Sequence, residues 1–581
     1  MKKLLRSARL AEVARVSGTS KFYDWSREQL VAEVGRLRKR KKYGLVWEEK
    51  TEDVVEQCKT ELPVLKEVAG KAIEQSANAL TNILIEGDNY HALSVLNYTH
   101  KDKVDVIYID PPYNTGNASW RYNNKIVDSE DSFRHSKFAS FLQHRLRLAK
   151  NLLSSRGIIV CAIDDYEFHN VRHLFDEIYG EDNRLGTIAV VHNPGGRQDD
   201  KYFATAHEYM LVYAKNKDHA KVGYLEISEK KLTEYRYKDA YGRYKLRDYR
   251  RGGANSRPQD RPNLWYPIYI HPKTLDTDIK KKSGYKEILP VDPTGAKRVW
   301  RWNPDTFTQK KNKYVEVKNE KGKFILYVKE RLDDNEGQKP KTVWGESYYS
   351  SAAGTAELKN ILGSQFGDKK IFDFPKSKFL VRDILEITSK QNSIVLDFFA
   401  GSGTTGQAVL ELNGKDKGHR TFILCTNNEN KISEEVCYPR IKAIISGYTT
   451  PNRIKVAGLG GNLRYFRTAF VGAEPNDKNK EALTRQATEM LCVREDTFEP
   501  VKETKTIKIF KSATRYTGIV FDGDAIPALK KEITKLGGVW SVYIFSLGDD
   551  TFDEEFAGIK QKITVAPIPE AILRVYRRIF K

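Results

Sequence analysis

The sequence has few of the features that mark secreted or membrane proteins. Only five of its 581 residues are cysteine, and no two of them form a CxxC pair. This usage favours a reducing cytosol over a secreted protein held by disulfides. No stretch approaches the ~18 apolar residues of a membrane span, and no apolar segment follows the basic start at residues 1–6 as it would in a signal peptide. We therefore expect a cytoplasmic protein that does not act at a membrane.

Acidic residues are also in deficit. The chain has 98 Lys and Arg residues against 77 Asp and Glu residues, a formal net charge of +21. A field of this sign favours a polyanionic partner, although it indicates nothing about the fold. The hydrophobic content of 40% is enough to fill real cores, so the bulk of the chain is not expected to be disordered.

The first 80 residues are predicted to form a basic helical segment. Ser26 and Gln29 have the spacing of a capping box ahead of an amphipathic pattern. That pattern leads into residues 36–42, where six of seven positions are cationic. A solvated helix face and a phosphate-contacting surface both remain open for this run.

Two stretches, 81–215 and 351–450, alternate apolar strands with amphipathic helices. Such alternation predicts an α/β fold with a mostly parallel sheet covered on both faces. Residues 216–350 interrupt the pattern with a segment rich in Tyr, Arg, Lys, Gly and Pro, which we interpret as an inserted domain. Residues 451–581 are predicted to form a small C-terminal α/β domain that ends in an amphipathic helix beginning at Pro569.

The tetrapeptide Asp110-Pro111-Pro112-Tyr113 directly follows the apolar run 104–109. Open α/β sheets bind ligands at the carboxyl ends of their strands. An ionised Asp110 and the carbonyl oxygen of Pro111, directed by the rigid Pro111-Pro112 turn, can accept the two N–H bonds of a base amino group. Tyr113 can stack on the ring of an extruded base. The alternative is a proline turn that merely ends a buried strand.

A glycine loop, Asp397-Phe398-Phe399-Ala400-Gly401-Ser402-Gly403, follows a second apolar run at 393–396. It suits close approach of the methionine part of a cofactor, from whose amino group Asp397 can accept a hydrogen bond. After the next strand, either Asn428 or Glu429 is placed to accept ribose hydroxyls. A phosphate-binding loop is excluded, because Gln407 and Ala408 stand where its lysine and hydroxyl would be. The two motifs together indicate methyl transfer from S-adenosylmethionine to a nucleobase amino group.

These residues resemble a known family. The segment 110–116 (DPPYNTG) preceding 397–405 (DFFAGSGTT), with a long insertion between, resembles the β-class of DNA amino-methyltransferases, and most of all the modification (Mod) subunits of type III restriction–modification systems. Supporting segments are 87–89, 207–209 and 374–377. The resemblance implies a Rossmann-like sheet that is permuted, with the catalytic half before the cofactor half. It also implies transfer to adenine N6 of double-stranded DNA, without a metal.

The resemblance extends to individual residues. The catalytic set is Asp110, Pro111, Pro112 and Tyr113, and Asp88 and Lys376 join the cofactor site. The full expected cofactor set is Asp397, Phe399, Gly401, Gly403, Thr404, Glu429, Asn428, Asp88 and Lys376. The insertion becomes a target-recognition domain whose Arg, Asn and Gln side chains contact base edges or phosphates. The candidates there are Arg250, Arg251, Asn255, Arg257, Gln259, Arg261 and Asn263.

The expected partners are double-stranded DNA, a second copy of the chain and a separate translocase–nuclease (restriction) subunit, in the nucleoid of a prokaryotic cytoplasm. Residues 506–581 are a candidate for either protein contact. An aspartate at the first position of the catalytic motif favours adenine N6 over cytosine N4 within the family. An RNA methyltransferase uses the same chemistry and remains an alternative, and the long insertion favours duplex DNA. The intact motifs argue against a catalytically inactive DNA-binding protein.

Overall fold

The computed structural model describes residues 25–31, 50–76, 79–113, 121–122, 125–126, 133–197, 200–367, 371–548, 550 and 552–580. Its centre is a ten-stranded sheet. In chain order the strands are β1 (Glu61–Glu67), β2 (Thr81–Glu86), β3 (Val104–Ile109), β4 (Leu153–Ile163), β5 (Arg184–Val191), β6 (His207–Ala214), β7 (Val343–Trp344), β8 (Ile394–Asp397), β9 (Thr421–Thr426) and β10 (Asn462–Gly472).

The strands lie in the order β1-β10-β2-β9-β8-β3-β4-β6-β5-β7. From β10 to β4 all neighbours are parallel, whereas β1 and β6 run antiparallel to the strands beside them. The sheet is therefore mixed, with the expected parallel centre. β6 departs from that direction because it returns from β5 through a hairpin, a connection that only antiparallel neighbours permit.

The sheet is covered by helices on both faces, as its continuous apolar strands predict. Alternate residues of β3 and β4 enter opposite cores: Ile107 and Ile159 pack on one face, and Val106 and Val160 on the other. The helices around the sheet are α1 (Asp53–Thr60), α2 (Asn89–Thr99), α3 (Arg134–Leu152), α4 (Phe168–Tyr179), α5 (Ser351–Phe366), α6 (Lys378–Thr388), α7 (Thr404–Asp416) and α8 (Tyr438–Ser446).

The inserted segment has a small core of its own. Trp300 is buried there and donates its indole N–H to the Tyr266 carbonyl at 2.8 Å. It contains a four-stranded sheet, a three-stranded sheet and two helices. The four-stranded sheet consists of Tyr237–Asp239, Gly242–Asp248, Val315–Glu320 and Lys323–Arg331. The three-stranded sheet consists of Ile268–Ile270, Thr277–Asp278 and Lys286–Ile288, and the helices are Glu229–Leu232 and Pro304–Tyr314.

The C-terminal part packs directly on the central sheet. One face of its five-stranded sheet joins the main core through Ile519 and Tyr543, and Tyr576 of the last helix donates to the Pro63 carbonyl of β1. Its strands are Glu499–Glu503, Ile507–Ser512, Arg515–Val520, Val539–Phe545 and Lys562–Ile568, and its helices are Asp477–Gln486, Thr488–Glu495, Ile526–Leu536 and Glu570–Ile579.

Two two-stranded ribbons are also present, Arg121–Tyr122 with Lys125–Ile126 and Gly447–Thr449 with Lys455–Ala457. Three strands of the central sheet come from outside the two stretches predicted to form it: β1 from residues 1–80, β7 from 216–350 and β10 from 451–581. The division of the chain into five domains stays a prediction. The Ser26 capping box is present, since the Gln29 N–H donates to Ser26 Oγ at 3.2 Å and the Ser26 N–H to Gln29 Oε1 at 2.8 Å. The basic run 36–42 lies outside the described residues. No helix in the described ranges is long and apolar enough to cross a membrane.

Candidate active site

The two motif aspartates lie at the ends of adjacent strands. β3 and β8 are parallel neighbours, with Val106 opposite Val395 and Ile107 opposite Leu396. Asp110 directly follows β3, and Asp397 is the last residue of β8. Because the strands are parallel, both carboxylates lie at the same edge of the sheet, where α/β proteins bind their ligands.

Asp110 belongs to a mostly buried cluster of four charged or polar side chains, which we call the Lys376 cluster (Asp110, Tyr113, Glu208 and Lys376). The Lys376 ammonium donates to Glu208 Oε2 at 2.5 Å and to the Tyr113 hydroxyl, and lies 3.5 Å from Asp110 Oδ1. The Tyr113 hydroxyl donates to Glu208 Oε2 at 3.0 Å. One cation is thus shared by two carboxylates and fixes the hydroxyl end of the tyrosine ring.

Burial and charge act against each other in this cluster. Burial raises the pKa of the Asp110 carboxyl, and the nearby Lys376 ammonium opposes that rise. Burial alone would lower the pKa of Lys376, but the charges of Asp110 and Glu208 outweigh it, and the pKa is raised. Lys376 is therefore a cation at neutral pH, and it favours the ionised, acceptor-only form of Asp110.

Glu208 was not assigned a role from the sequence. It lies in β6 ahead of the apolar run Tyr209–Ala214 and is buried. A carboxylate inside a buried strand needs a charged or hydrogen-bonding partner, and that signal could have identified it. His207, the preceding residue, is exposed and bonds to the Tyr209 hydroxyl at 3.0 Å.

The glycine loop turns sharply between β8 and α7. Gly401 and Gly403 have φ values of 50° and 82°, a region that side chains with a Cβ rarely adopt. A Cβ on Gly403 would lie 3.1 Å from Cys437 Sγ. Asp397 accepts from the Phe399 N–H at 2.9 Å and from the Thr405 hydroxyl at 2.5 Å. Burial nevertheless raises its pKa to about 7.

A buried arginine holds this loop through hydrogen bonds to its side chains. Arg440 of α8 donates to Ser402 Oγ at 2.9 Å, to Thr404 Oγ1 at 2.8 Å and to Gln407 Oε1 at 2.9 Å. Its charge lies beside the N-terminus of α7, where the helix dipole is also positive. Gln407 also donates to Glu357 at 2.7 Å, so the residue at the lysine position of a phosphate loop has a structural role.

A second buried arginine holds the start of α2 against the same edge. Arg145 of α3 pairs with Glu52 at 2.7 Å and with Asp88 at 3.1 Å, and also bonds Asn89. Asp88 caps α2 by accepting from the Tyr90 N–H at 2.7 Å, while Asn89 donates to the Phe398 carbonyl at 2.9 Å. Arg145 thus joins the helix cap to the glycine loop. In the sequence, Arg145 stands on the apolar stripe of α3, beside Leu142, Leu146 and Ala149, and a charged residue at such a position indicates a buried partner.

The remaining predicted cofactor residues lie around this edge. Phe399 is half-buried against Phe141, with ring centroids 5.9 Å apart. Asn428 and Glu429 follow β9, and Asn428 Oδ1 accepts from the Glu434 N–H at 3.2 Å. The Lys376 ammonium lies among the residues of the catalytic motif, whereas its carbonyl accepts from Thr404 Oγ1 at 3.4 Å. Residues 114–116 of the longer motif lie outside the described ranges.

The predicted DNA-contacting residues divide into two groups. Arg250 is engaged within the protein, paired with Asp248 at 2.7 Å and donating to the Val291 carbonyl at 2.6 Å, and Arg251 is half-buried. The others are exposed on the segment that links the two small sheets of the insertion. They are Asn255, Arg257, Gln259, Arg261 and Asn263. Within the described part of the chain, no three His, Cys, Asp or Glu side chains converge as a metal site would require.

The DNA methylase family matches residues 104–484, and the chain belongs to that family. It is 36% identical over 354 residues to the type II methyltransferase M.KpnI of Klebsiella pneumoniae, covering 61% of this chain and 82% of that protein. It is 35% identical over 386 residues to the EcoPI Mod subunit, a type III restriction–modification enzyme of Escherichia phage P1. That match covers 61% of this chain and 59% of the relative, less than two thirds of its length.

The M1.HpyAVI–SAM complex is among the similar solved structures, at 16% identity and a TM-score of 0.27, covering 62% of this chain and 98% of that one. The family assignment depends on the sequence matches and not on this likeness.

Replacing Arg145 by methionine tests whether this residue organises the site. The side chain is 0% exposed, and its loss removes the guanidinium from the buried Glu52, leaving His144 Nδ1 at 3.4 Å as its remaining ion-pair neighbour. We expect a loss of about 3 kcal/mol or more in the free energy of unfolding at pH 7, measured by urea denaturation. The Arg145 charge holds the pKa of Glu52 below its ordinary value of 4.5 against the opposing effect of burial. The loss of stability caused by Arg145→Met should therefore shrink as pH falls through the pKa of Glu52, because a protonated carboxyl no longer requires the cation.

The matched control is Arg147→Met on the same helix. Arg147 is 48% exposed and pairs with exposed Glu177 at 3.4 Å, so its loss should cost less than about 1 kcal/mol. Equal destabilisation by the two substitutions would show that Arg145 has no organising role.

Proposed function

We propose that this chain transfers a methyl group from S-adenosylmethionine to adenine N6 at specific sites in double-stranded DNA, as the modification component of a type III-like restriction–modification system. The observation that carries the proposal is the pairing of β3 with β8, which brings Asp110 and Asp397 to one edge of the sheet. Membership of the DNA methylase family agrees with it, as do the type II and type III relatives.

The Asp110–Tyr113 turn is the proposed pocket for the extruded adenine. The lone pair of an adenine amino group is delocalised into the ring, so the nitrogen is a poor nucleophile. Asp110 would accept one N–H and the Pro111 carbonyl the other, which favours a pyramidal nitrogen with an available lone pair. Tyr113, held at its hydroxyl by Lys376 and Glu208, would stack on the base.

The Lys376 cluster also suits the proton transfer that methylation requires. Methyl transfer would replace the S–C bond by an N–C bond, leaving S-adenosylhomocysteine and a positively charged amino nitrogen that must lose one proton. Asp110 already accepts that N–H, and burial raises the pKa of its carboxyl, so it is a suitable acceptor. Before the transfer the Lys376 ammonium is shared by two carboxylates, and once Asp110 is protonated Lys376 and Glu208 remain as a one-to-one ion pair.

The glycine loop is the proposed cofactor site, and its residues fit that role. The tight turn that the positive φ values of Gly401 and Gly403 produce would let the backbone approach a ligand closely, and Asp397 would offer its buried carboxylate to an amino group. Bound there, S-adenosylmethionine supplies an electrophilic methyl group. We assign Phe399, Thr404, Asp88 and either Asn428 or Glu429 to the rest of this site. Lys376 would stand between cofactor and base, since it touches Thr404 and Asp110.

The remaining assignments follow the same proposal. The Asp110 half of the sheet precedes the Asp397 half, which is the permuted order, and residues 216–350 would read the DNA sequence. The exposed residues on 255–263 are the leading candidates for base contacts, with Arg250 and Arg251 supporting them. A homodimer and a separate restriction subunit are the proposed assemblies.

Methylation by the wild type and an Asp110→Ala variant tests the function. Single-molecule sequencing of a methylation-free host expressing the wild type should show one motif carrying N6-methyladenine. Asp110→Ala should lower the rate on that motif at least ~100-fold, since it removes the charged acceptor of the reacting group. Its affinity for S-adenosylhomocysteine should change little, which separates lost chemistry from lost folding.

The matched control is Asp182→Ala, an exposed carboxylate in the turn before β5, which should leave the rate unchanged. Full activity in Asp110→Ala, or an unmodified genome with folded wild-type protein, would contradict the proposal.

Cofactor binding should depend on pH through Asp397. Burial raises the pKa of this carboxyl to about 7, so below that pH it is increasingly protonated and loses its charge toward an ammonium group. The Kd for S-adenosylhomocysteine, measured by calorimetry, should rise by up to about tenfold per unit as pH falls below 7. Because the folded-state pKa lies above the ordinary 3.8, the ligand-free protein should lose stability as pH rises between about pH 4 and 7.

Asp397→Asn should bind weakly with a flat pH profile and should be more stable than the wild type at pH 8. Asp164→Asn is the control, since burial also raises the pKa of Asp164 to about 7. A pH dependence that disappears in Asp164→Asn and persists in Asp397→Asn would refute the assignment.

A further inference from the structure

The hairpin that joins β5 to β6 extends past the edge of the sheet that carries Asp110 and Asp397. β5 and β4 both run antiparallel to β6, so β5 ends at the same edge as the parallel strands. Pairing continues beyond Val191 and His207, with the Asn193 N–H donating to the Ala206 carbonyl at 3.1 Å. The Arg197 N–H donates to the Thr205 carbonyl, also at 3.1 Å.

The tip of this hairpin is closely packed. Gly196 has a φ of 69°, and a Cβ there would lie 2.6 Å from the Cβ of Ala204. Asp200 accepts from the Thr205 N–H at 2.8 Å. These contacts hold the two sides of the tip together and give residues 200–205 a defined shape.

Two adjacent aromatic rings project from the tip into solvent. Tyr202 is 81% exposed and Phe203 is 89% exposed, more than any other large hydrophobic side chain among the described residues. Two cations accompany them: Lys201, whose ammonium lies 5.2 Å from the Tyr202 ring centroid, and Arg197, which is exposed. Neighbouring exposed rings are unfavourable in water and indicate a partner surface.

The tip is also close to the proposed base pocket. Glu208, which contacts Tyr113 at 3.0 Å, follows Phe203 by only five residues. At ~3.3–3.6 Å per residue this allows a separation of at most about 18 Å. A duplex with one base in the Asp110–Tyr113 pocket would therefore lie against the tip.

We propose that Tyr202 and Phe203 form a wedge that enters the duplex beside the extruded adenine, with Arg197 and Lys201 on the flanking phosphates. This role rests on the proposed function. Extrusion of a base leaves a gap with unstacked faces on its neighbours, and aromatic rings can fill such a gap because every base offers a π face. The wedge lowers the cost of the extruded state and takes no part in methyl transfer.

The test compares two duplexes that contain the methylated motif found by sequencing. In one the target adenine is paired with thymine, and in the other it faces an abasic site, which reduces the cost of extrusion. The double variant Tyr202→Ala/Phe203→Ala should lower kcat/KM on the paired duplex by roughly 10–100-fold. On the abasic duplex it should remain within about threefold of the wild type, as expected if only base extrusion is impaired.

The matched control exchanges the rings, Tyr202→Phe with Phe203→Tyr, and should retain activity on both duplexes. Fluorescence of 2-aminopurine at the target position reports extrusion directly and should fall in the alanine variant on the paired duplex alone.

Equal loss on both duplexes, no loss on either, or a change in oligomeric state with unchanged extrusion would each overturn the wedge. If sequencing of the host that expresses folded wild-type protein shows no methylated motif, the proposed function is overturned instead, and the wedge with it.

Discussion

The parallel pairing of β3 with β8 is the constraint on which the rest of the site depends. These strands belong to segments that are far apart in the chain, yet Val106 lies opposite Val395. Their carboxyl ends therefore meet, and each strand ends in or just before a carboxylate, Asp397 or Asp110. In both strands, successive apolar side chains enter the cores on opposite faces of the sheet, and this fixes the register of the pairing. The position of the site is a consequence of how the core is packed.

The site also depends on the charge of the Lys376 ammonium. It comes from the segment ahead of α6 and reaches Tyr113, 263 positions away in sequence. Buried carboxylates are costly unless a cation is present, so Asp110 and Glu208 need it for folding as well as for any chemistry. Arg440 and Arg145 have similar roles at the glycine loop and at the α2 cap. Each buried cation joins elements that are distant in the chain.

The parts of the site that depend on local sequence pattern could be predicted from the sequence alone. An apolar run followed by Asp110, and a second followed by Asp397, correctly predicted that both motifs lie at strand ends. The strand direction of β6 and the roles of Glu208 and Arg145 were not predicted, because they depend on which elements become neighbours. A charged residue in an apolar strand or stripe shows that a partner exists but not which one. The individual functions of the site residues stay predictions.

The position of both substrates would be shown by a crystal structure of the protein with S-adenosylhomocysteine and a duplex containing the methylated motif. We expect the ligand's amino group at Asp397 and an extruded adenine whose N6 lies within hydrogen-bond distance of Asp110 and faces the ligand sulfur. An adenine that remains stacked in the duplex, or a ligand bound away from the glycine loop, would contradict this expectation.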